Sequence, residues 1–198
     1  MIKFERQCDL FNNNPNLSAD NNYQDPFINR KTIKEWQEKI IKHQTPIFKY
    51  GYKRVKQASF FEPEKEDLNL TFNPMQLTAL PLSFWRFPKA THEGKAIYFV
   101  MDKLINCDHN IILYIGETIS AEKRWKGEHD CKKYLSTYSE TLQKANMKTG
   151  LNIRFWLDVP ISTKERRTLE QKLIRFWLPP FNKETRDIWA TPFTSQIN

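Results

Sequence analysis

A chain of 198 residues with 39% hydrophobic and 27% charged side chains, six Trp and fourteen Phe among them, can bury a core and is not globally disordered. Its formal net charge is +8 and its pI is near 9.3, which favours a polyanionic partner such as nucleic acid or a membrane surface. Residues 1–90 hold 14 basic and 10 acidic side chains and residues 91–198 hold 17 and 13, so the charge is spread evenly and a detached basic tail is excluded.

The N-terminal residues, Met1 to Leu10, are too polar for a signal peptide, and no apolar run approaches the ~20 residues that span a bilayer. Cys8, Cys107 and Cys131 are odd in number, widely spaced and form no CxxC, which argues against a disulfide framework or a zinc knuckle. The expectation is a soluble, cytoplasmic protein with no membrane partner. Residues 11–26, rich in Asn and Asp with Pro15 and Pro26, read as a turn-rich lead-in. Thr32 opens a predicted helix to about Lys42, with Ile33, Trp36, Ile40 and Ile41 at helical spacing and Pro46 closing it. Lys49 to Lys56 interleaves aromatics with Lys49, Lys53, Arg54 and Lys56, ingredients for phosphate contact and base stacking or for a basic β-edge. Leu68, Leu70 and Phe72 alternate as in a half-buried strand, and Pro74 to Pro88 reads as a packed irregular connection.

Gly94 begins a new unit, which divides the chain into an N-terminal extension (1–93) and a second domain (94–198). Ala96 to Met101 and Ile111 to Ile115 are predicted strands joined by turn chemistry at 106–110, an antiparallel hairpin. Ser120 caps a helix carrying Glu122, Arg124 and Trp125. Tyr134 to Lys148 reads as a second helix and Leu151 to Val159 as a third strand. Ser162 and Glu165 have capping-box spacing at the head of a last helix striped with Leu169, Leu173, Phe176 and Trp177, which Pro179 and Pro180 stop. The order β-β-α-α-β-α predicts an α+β fold, a small antiparallel three-stranded sheet flanked by helices.

Five ordered elements in this half resemble the GIY-YIG nuclease family. Ala96-Ile97-Tyr98 stands where the family has Gly-Ile-Tyr, and Tyr114-Ile115-Gly116 matches the second signature. Thr118 falls where many members have a small or hydroxyl residue, and Glu122-Lys123-Arg124-Trp125 is similar to the segment bearing the family's arginine. Glu170, followed by Leu173, Ile174, Pro179 and Asn182, resembles the closing motif. The resemblance spans roughly 94–184 and implies a divalent-metal-dependent endonuclease, with Tyr98, Tyr114, Arg124, Glu170 and Asn182 as site residues. Ala96 departs from the first glycine, a position that tolerates a small side chain at negative φ. One turn beyond Arg124, where relatives often carry His, this chain has Glu128, then His129. His129 serves as a base or leaving-group acid if Gly127 ends the helix and lets it swing inward, and is otherwise a solvated surface residue.

Phosphodiester hydrolysis builds negative charge on phosphorus and expels an alkoxide, so a cation, a base and a group steadying the phosphate are required. Glu170 offers oxygens suited to a hard ion, Mg²⁺ or Mn²⁺, which needs only one or two carboxylates. Arg124 offers a planar fork that pairs with phosphate and keeps its proton. A phenol with a pKa of about 10 can act as a base or orient water when a cation lies beside it. The residues leave open which tyrosine does which; the resemblance implies Tyr98 as base and Tyr114 as positioning group. The partner expected is nucleic acid, DNA first. A lone site cuts one strand per visit, so double-strand cleavage calls for a homodimer or two visits. The rival reading is a nucleic-acid-binding module that kept the fold and lost catalysis.

Overall fold

β1 (Ala96–Leu104) forms the middle of the structure, paired antiparallel on one side with β2 (His109–Thr118) and on the other with β3 (Leu151–Trp156). The computed structural model describes residues 29–56, 72–86, 94–105, 107–127 and 129–192, without the side chains of 52–56. The helices are α1 (Arg30–Lys56), α2 (Ala121–Lys126), α3 (Asp130–Lys144) and α4 (Thr163–Trp177). From β1 onward the order is β-β-α-α-β-α on a three-stranded antiparallel sheet, the α+β architecture expected.

β1 is buried on both faces. Its even-numbered residues Tyr98, Val100 and Leu104 join Trp125, Leu135, Tyr138 and Phe181 in one core. Its odd-numbered residues Ile97, Phe99 and Met101 join Leu173, Ile174 and Trp177 of α4 in a second. This is the strand's period of two, read out on both sides of a sheet. The two cores separate α4 from α2 and α3, so a residue of α4 reaches the α2–α3 side only around an edge of the sheet.

Several boundaries differ from expectation, for identifiable reasons. α1 starts at Arg30, with Asn29 Oδ1 accepting from the Thr32 amide, and it runs through Pro46 to Lys56. Pro46 is exposed, and the buried face on either side of it carries Ile40, Gln44 and Ile47, so packing holds the helix where proline would end it. The break falls instead at Gly51 (φ 68°, ψ −178°), a conformation that glycine takes without steric cost. The basic run is therefore helical, not a β-edge. Both hairpin strands are longer than predicted. α3 begins at Asp130 and stops at Lys144, because Asn146 turns the chain with φ 52°. β3 ends at Trp156, since Val159 hydrogen-bonds back to Leu157 in a turn. Ser162 caps α4 as expected, accepting from the Glu165 amide, whereas Ser120 occupies the cap of α2 without a side-chain bond. The segment before β1 makes two short 3-10 turns and one bridge, Leu80 to Ile153. The predicted strand around Leu68 and Leu70 lies outside the described residues.

Candidate active site at the edge of the hairpin

One irregularity in β2 aims the second tyrosine. Val100 pairs with Tyr114 but Met101 pairs with Ile112, so Leu113 is an extra residue, a bulge. Leu113 and Tyr114 consequently both lie against the core that holds Tyr98, where strict alternation would have sent Tyr114 to the opposite face. The Tyr98 and Tyr114 rings stack at 6.0 Å between centroids. Tyr98 faces Gly116 across the ladder, and a Cβ at 116 would collide with the Tyr98 phenol and come within 2.9 Å of Tyr114 Cε1. The glycine of Tyr-Ile-Gly thus makes room for the tyrosine of the neighbouring strand.

Arg124, on the last turn of the six-residue α2, brings its guanidinium to both hydroxyls. Burial alone would lower its pKa; contact with Tyr98 and Tyr114 more than offsets this and leaves the cation above its ordinary value. Burial pushes the Tyr98 hydroxyl well above 10, with Tyr114 and Cys131 adding to it and Arg124 pulling the other way. Tyr114 is pushed up to about 12, again chiefly by burial. Both phenols are neutral at pH 7. Tyr98 is fully buried, and its hydroxyl makes no hydrogen bond of regular geometry among the described residues.

Gly127 does end α2, and His129 occupies the N-cap of α3 without a side-chain bond, its ring turned inward, edge-on to Trp125 at 5.1 Å. Neither ring nitrogen has a partner among the described residues. Burial, then Arg124 and Lys132, push its pKa down to about 4. It is a neutral imidazole at pH 7. Glu128 lies outside the described residues.

Glu170 projects from α4, which packs on the opposite face, and its carboxylate reaches the open edge of β2. There the Glu117 amide donates to Oε1 at 2.9 Å. The carboxylate is close enough to raise the Tyr114 pKa. Burial, with Glu117 and Glu184 adding to it, pushes Glu170 up to about 7. Glu117 itself is held by Arg166 Nε (3.2 Å) and Arg167 Nε (3.4 Å). Arg166 is fully buried, four residues before Glu170 on one helix face, and also donates to the carbonyls of Pro160 and Ile161.

Residues 95–182 match the family model described as the GIY-YIG catalytic domain. This stretch is a GIY-YIG domain. No curated protein and no solved structure matches the chain. The family is one of nucleases, so the assignment points to a nucleic-acid substrate at that level. Among the described residues no helix is long and apolar enough to cross a membrane.

Within the GIY-YIG domain Asn182 is buried, and both ends of its amide are engaged by one residue of β2. Ile115 donates to Oδ1 at 2.9 Å and its carbonyl accepts from Nδ2 at 2.8 Å. Gln44 of α1 does the same for Ile112 (2.7 and 3.0 Å), and the Phe181 amide donates to the Leu113 carbonyl. Together with Glu170 they satisfy the outward groups of an edge strand that would otherwise be open to another chain. Of the basic run, Lys49 is exposed, and the side chains of Lys53, Arg54 and Lys56 lie outside the described residues. Sequence reading missed Glu117 and Arg166; the one signal was the i, i+4 spacing of Arg166 and Glu170.

The donor set fits a hard divalent ion. Glu170 is a carboxylate whose burial penalises its charge, with Oε1 accepting from a backbone amide. Among the described residues no group of three His, Cys, Asp or Glu could hold a metal by itself. This suits Mg²⁺ or Mn²⁺, which take one or two carboxylates and complete their shell with water and phosphate oxygens, better than a zinc cage.

Proposed function

We propose that this protein is a divalent-metal-dependent endonuclease that hydrolyses DNA phosphodiester bonds by tyrosine-assisted attack of water. The observation that carries the reading is one guanidinium beside two phenol hydroxyls, Tyr98 buried and Tyr114 half-buried, with the Glu170 carboxylate near enough to act on Tyr114. Mg²⁺ or Mn²⁺ at Glu170 supplies, when bound, the charge that neutralises the phosphate and its leaving oxygen. Arg124 pairs with the non-bridging oxygens and stabilises the charge that grows on them. Tyr98, in the small fraction that is phenolate, takes the proton of the attacking water and becomes the neutral phenol, and Tyr114 orients that water and the phosphate in line. The water oxygen bonds to phosphorus as the bond to the leaving oxygen breaks. His129, neutral above about pH 4, has one bare ring nitrogen that can take a proton and stands as the rival base. Asn182 acts as a positioning residue that fixes β2 between Tyr114 and Glu117. The setting we propose is the cytoplasm, with Lys49, Lys53, Arg54 and Lys56 contacting DNA and a homodimer where both strands are cut.

The test is incubation with supercoiled plasmid and with single-stranded DNA, each with Mg²⁺ and with EDTA, beside Glu170→Ala. Nicked or linear product that needs Mg²⁺ and Glu170 supports the nuclease. Binding to both DNAs with no product under any metal would replace it with the inactive binding module.

A further inference from the structure

Trp125 belongs to two neighbourhoods. Its ring meets Tyr98 edge-on at 5.8 Å, and it also lines an open cavity of about 440 Å³ on the surface beside α2 and α3. Trp85, half-buried, on the segment before β1, lines the same cavity. Two cations attend the Trp85 ring: Arg86 Cζ lies 5.0 Å from its centroid and Lys132 Nζ lies 5.9 Å away. Lys132 is anchored, since its ammonium donates to the carbonyls of Trp125 and Gly127 at the end of α2. The lining adds leucines, three serine hydroxyls and no carboxylate. The Trp125 Nε1–H is buried beneath the wall of this cavity and has no acceptor among the described residues.

We infer that this cavity is a subsite for one unstacked nucleotide of the substrate strand, its base between the apolar walls and its phosphate on Arg86 and Lys132. The inference rests on the nuclease reading and names the kind of strand that site takes. A nucleobase has flat apolar faces, a polar edge and a phosphate one bond system away, and the cavity offers each a match: tryptophan and leucine, serine hydroxyls, and paired cations. Its volume is of the size that encloses a small ring system. One indole ring separates it from Tyr98, so the nucleotide it holds is next to or near the one that carries the scissile phosphate. A base inside a duplex cannot enter without leaving its stack, which costs a few kcal/mol and costs least where the base is already unpaired. The preferred substrate therefore has an unpaired nucleotide beside the cut: a single strand, a bulge or a branch.

Fluorescence binding in EDTA tests this without any cleavage. Two short DNA duplexes are compared, one fully paired and one carrying a single bulged 2-aminopurine. The bulged duplex binds more tightly, its emission changes on binding, and Trp85→Ala removes that advantage, weakening the bulged complex by roughly 5- to 100-fold, the range of one base–aromatic stack. The fully paired complex is unchanged. Arg86→Ala, at an exposed side chain, weakens the bulged complex by a smaller factor and serves if Trp85→Ala does not fold by circular dichroism. Equal affinity for the two duplexes, or equal weakening of both, overturns the subsite. Cleavage with Mg²⁺ is scored separately: bulge preference without cleavage refutes the nuclease reading and leaves the subsite, and cleavage without preference does the reverse.

Discussion

Two buried polar clusters lie on the same face of β1, four residues apart, and they are built on opposite principles. At Asp102 every group is answered. Its carboxylate accepts from Tyr138 Oη (2.7 Å), Thr149 Oγ1 (2.8 Å) and the Gly150 amide (2.7 Å), and Tyr138 accepts in turn from Gln37 of α1 (2.8 Å). At Tyr98 the hydroxyl and both nitrogens of His129 have no partner of regular geometry among the described residues, although Arg124 lies beside them. A fully satisfied buried network fixes a fold, whereas orphaned donors and acceptors around a cation mark where something else is meant to bind. The first cluster locks α1, α3 and the approach to β3 onto the sheet. The second is where chemistry is proposed.

The sharpest way to break that contrast is to mutate each cluster and read activity and stability separately. Glu170→Ala, at the edge of the second cluster, is expected to lower kcat by about a thousandfold or more while leaving DNA affinity and Tm nearly unchanged. Arg124→Ala follows, with about a hundredfold loss carried by kcat more than by KM. Loss of DNA binding in parallel with cleavage, in a folded Glu170→Ala protein, would remove the metal assignment. Asp102→Ala should do the opposite. It leaves the buried Tyr138 hydroxyl and two half-buried donors without an acceptor and is expected to cost about 3 kcal/mol of stability in denaturant unfolding, with residual folded protein still active. If Asp102→Ala kept its stability and lost catalysis, the division between the two clusters would be wrong.

The difference between the clusters also explains what was legible in the sequence. Helix α4 and its stop announced themselves through local chemistry, Ser162 with Glu165 at the head and Pro179-Pro180 at the tail. Tyr98, Tyr114 and Glu170 were visible only as parts of a resemblance. The bulge at Leu113 was not legible, because β2 is buried on both faces and reads Ile-Ile-Leu-Tyr-Ile, a run in which period two is silent. Gln44 lies past the predicted end of its helix at Lys42, two positions before Pro46, and the sequence assigned it no role. Its value lies in a bond to Ile112, 68 residues away, which no local pattern encodes. Asp102 and Arg166 were invisible for the same reason: a buried charge is recognised by its partners, and these come from distant segments.

The pH dependence distinguishes the two candidate bases inside the second cluster. At saturating Mg²⁺, Tyr98 as base predicts that log kcat climbs with about unit slope from about pH 6 to 9, since the phenolate fraction rises tenfold per unit below a pKa held well above 10. His129 as base predicts a plateau from about pH 5 upward, because its pKa of about 4 leaves it deprotonated throughout. A flat profile that His129→Ala abolishes would transfer the role. Glu170 adds a smaller, metal-free effect on stability. Its folded pKa of about 7 lies above the ordinary 4.5, so the fold binds more protons there than the unfolded chain. Stability from this group is full below about pH 4.5 and is lost as pH rises through 7. In EDTA at pH 8, Glu170→Gln should therefore be more stable than wild type by about 1–2 kcal/mol, solvent exposure trimming the full value. Added Mg²⁺ should raise the Tm of wild type and not of the variant. A Glu170→Gln protein no more stable than wild type would mean that the carboxylate is already compensated.

The smallest expected effect concerns α1, which links the two clusters by Gln37 at one and Gln44 at the strand edge near the other. Its far end carries Lys49, exposed, and then Lys53, Arg54 and Lys56 beyond the kink at Gly51. A helix held this firmly gives the basic run a stable base from which to meet a phosphate backbone. Each cation that does so releases a counterion, and log affinity then falls with log salt by about 0.9 per neutralised phosphate on duplex DNA. Replacing Lys53, Arg54 and Lys56 with Ala should lower affinity for all sequences alike and flatten the slope by about one unit for each phosphate no longer neutralised. The kcat at saturating DNA and the Tm should stay at the wild-type values, since neither cluster is touched. Binding isotherms at several salt concentrations for the two proteins measure this directly. Parallel slopes would return the run to an ordinary solvated surface and leave α1 with a structural role alone.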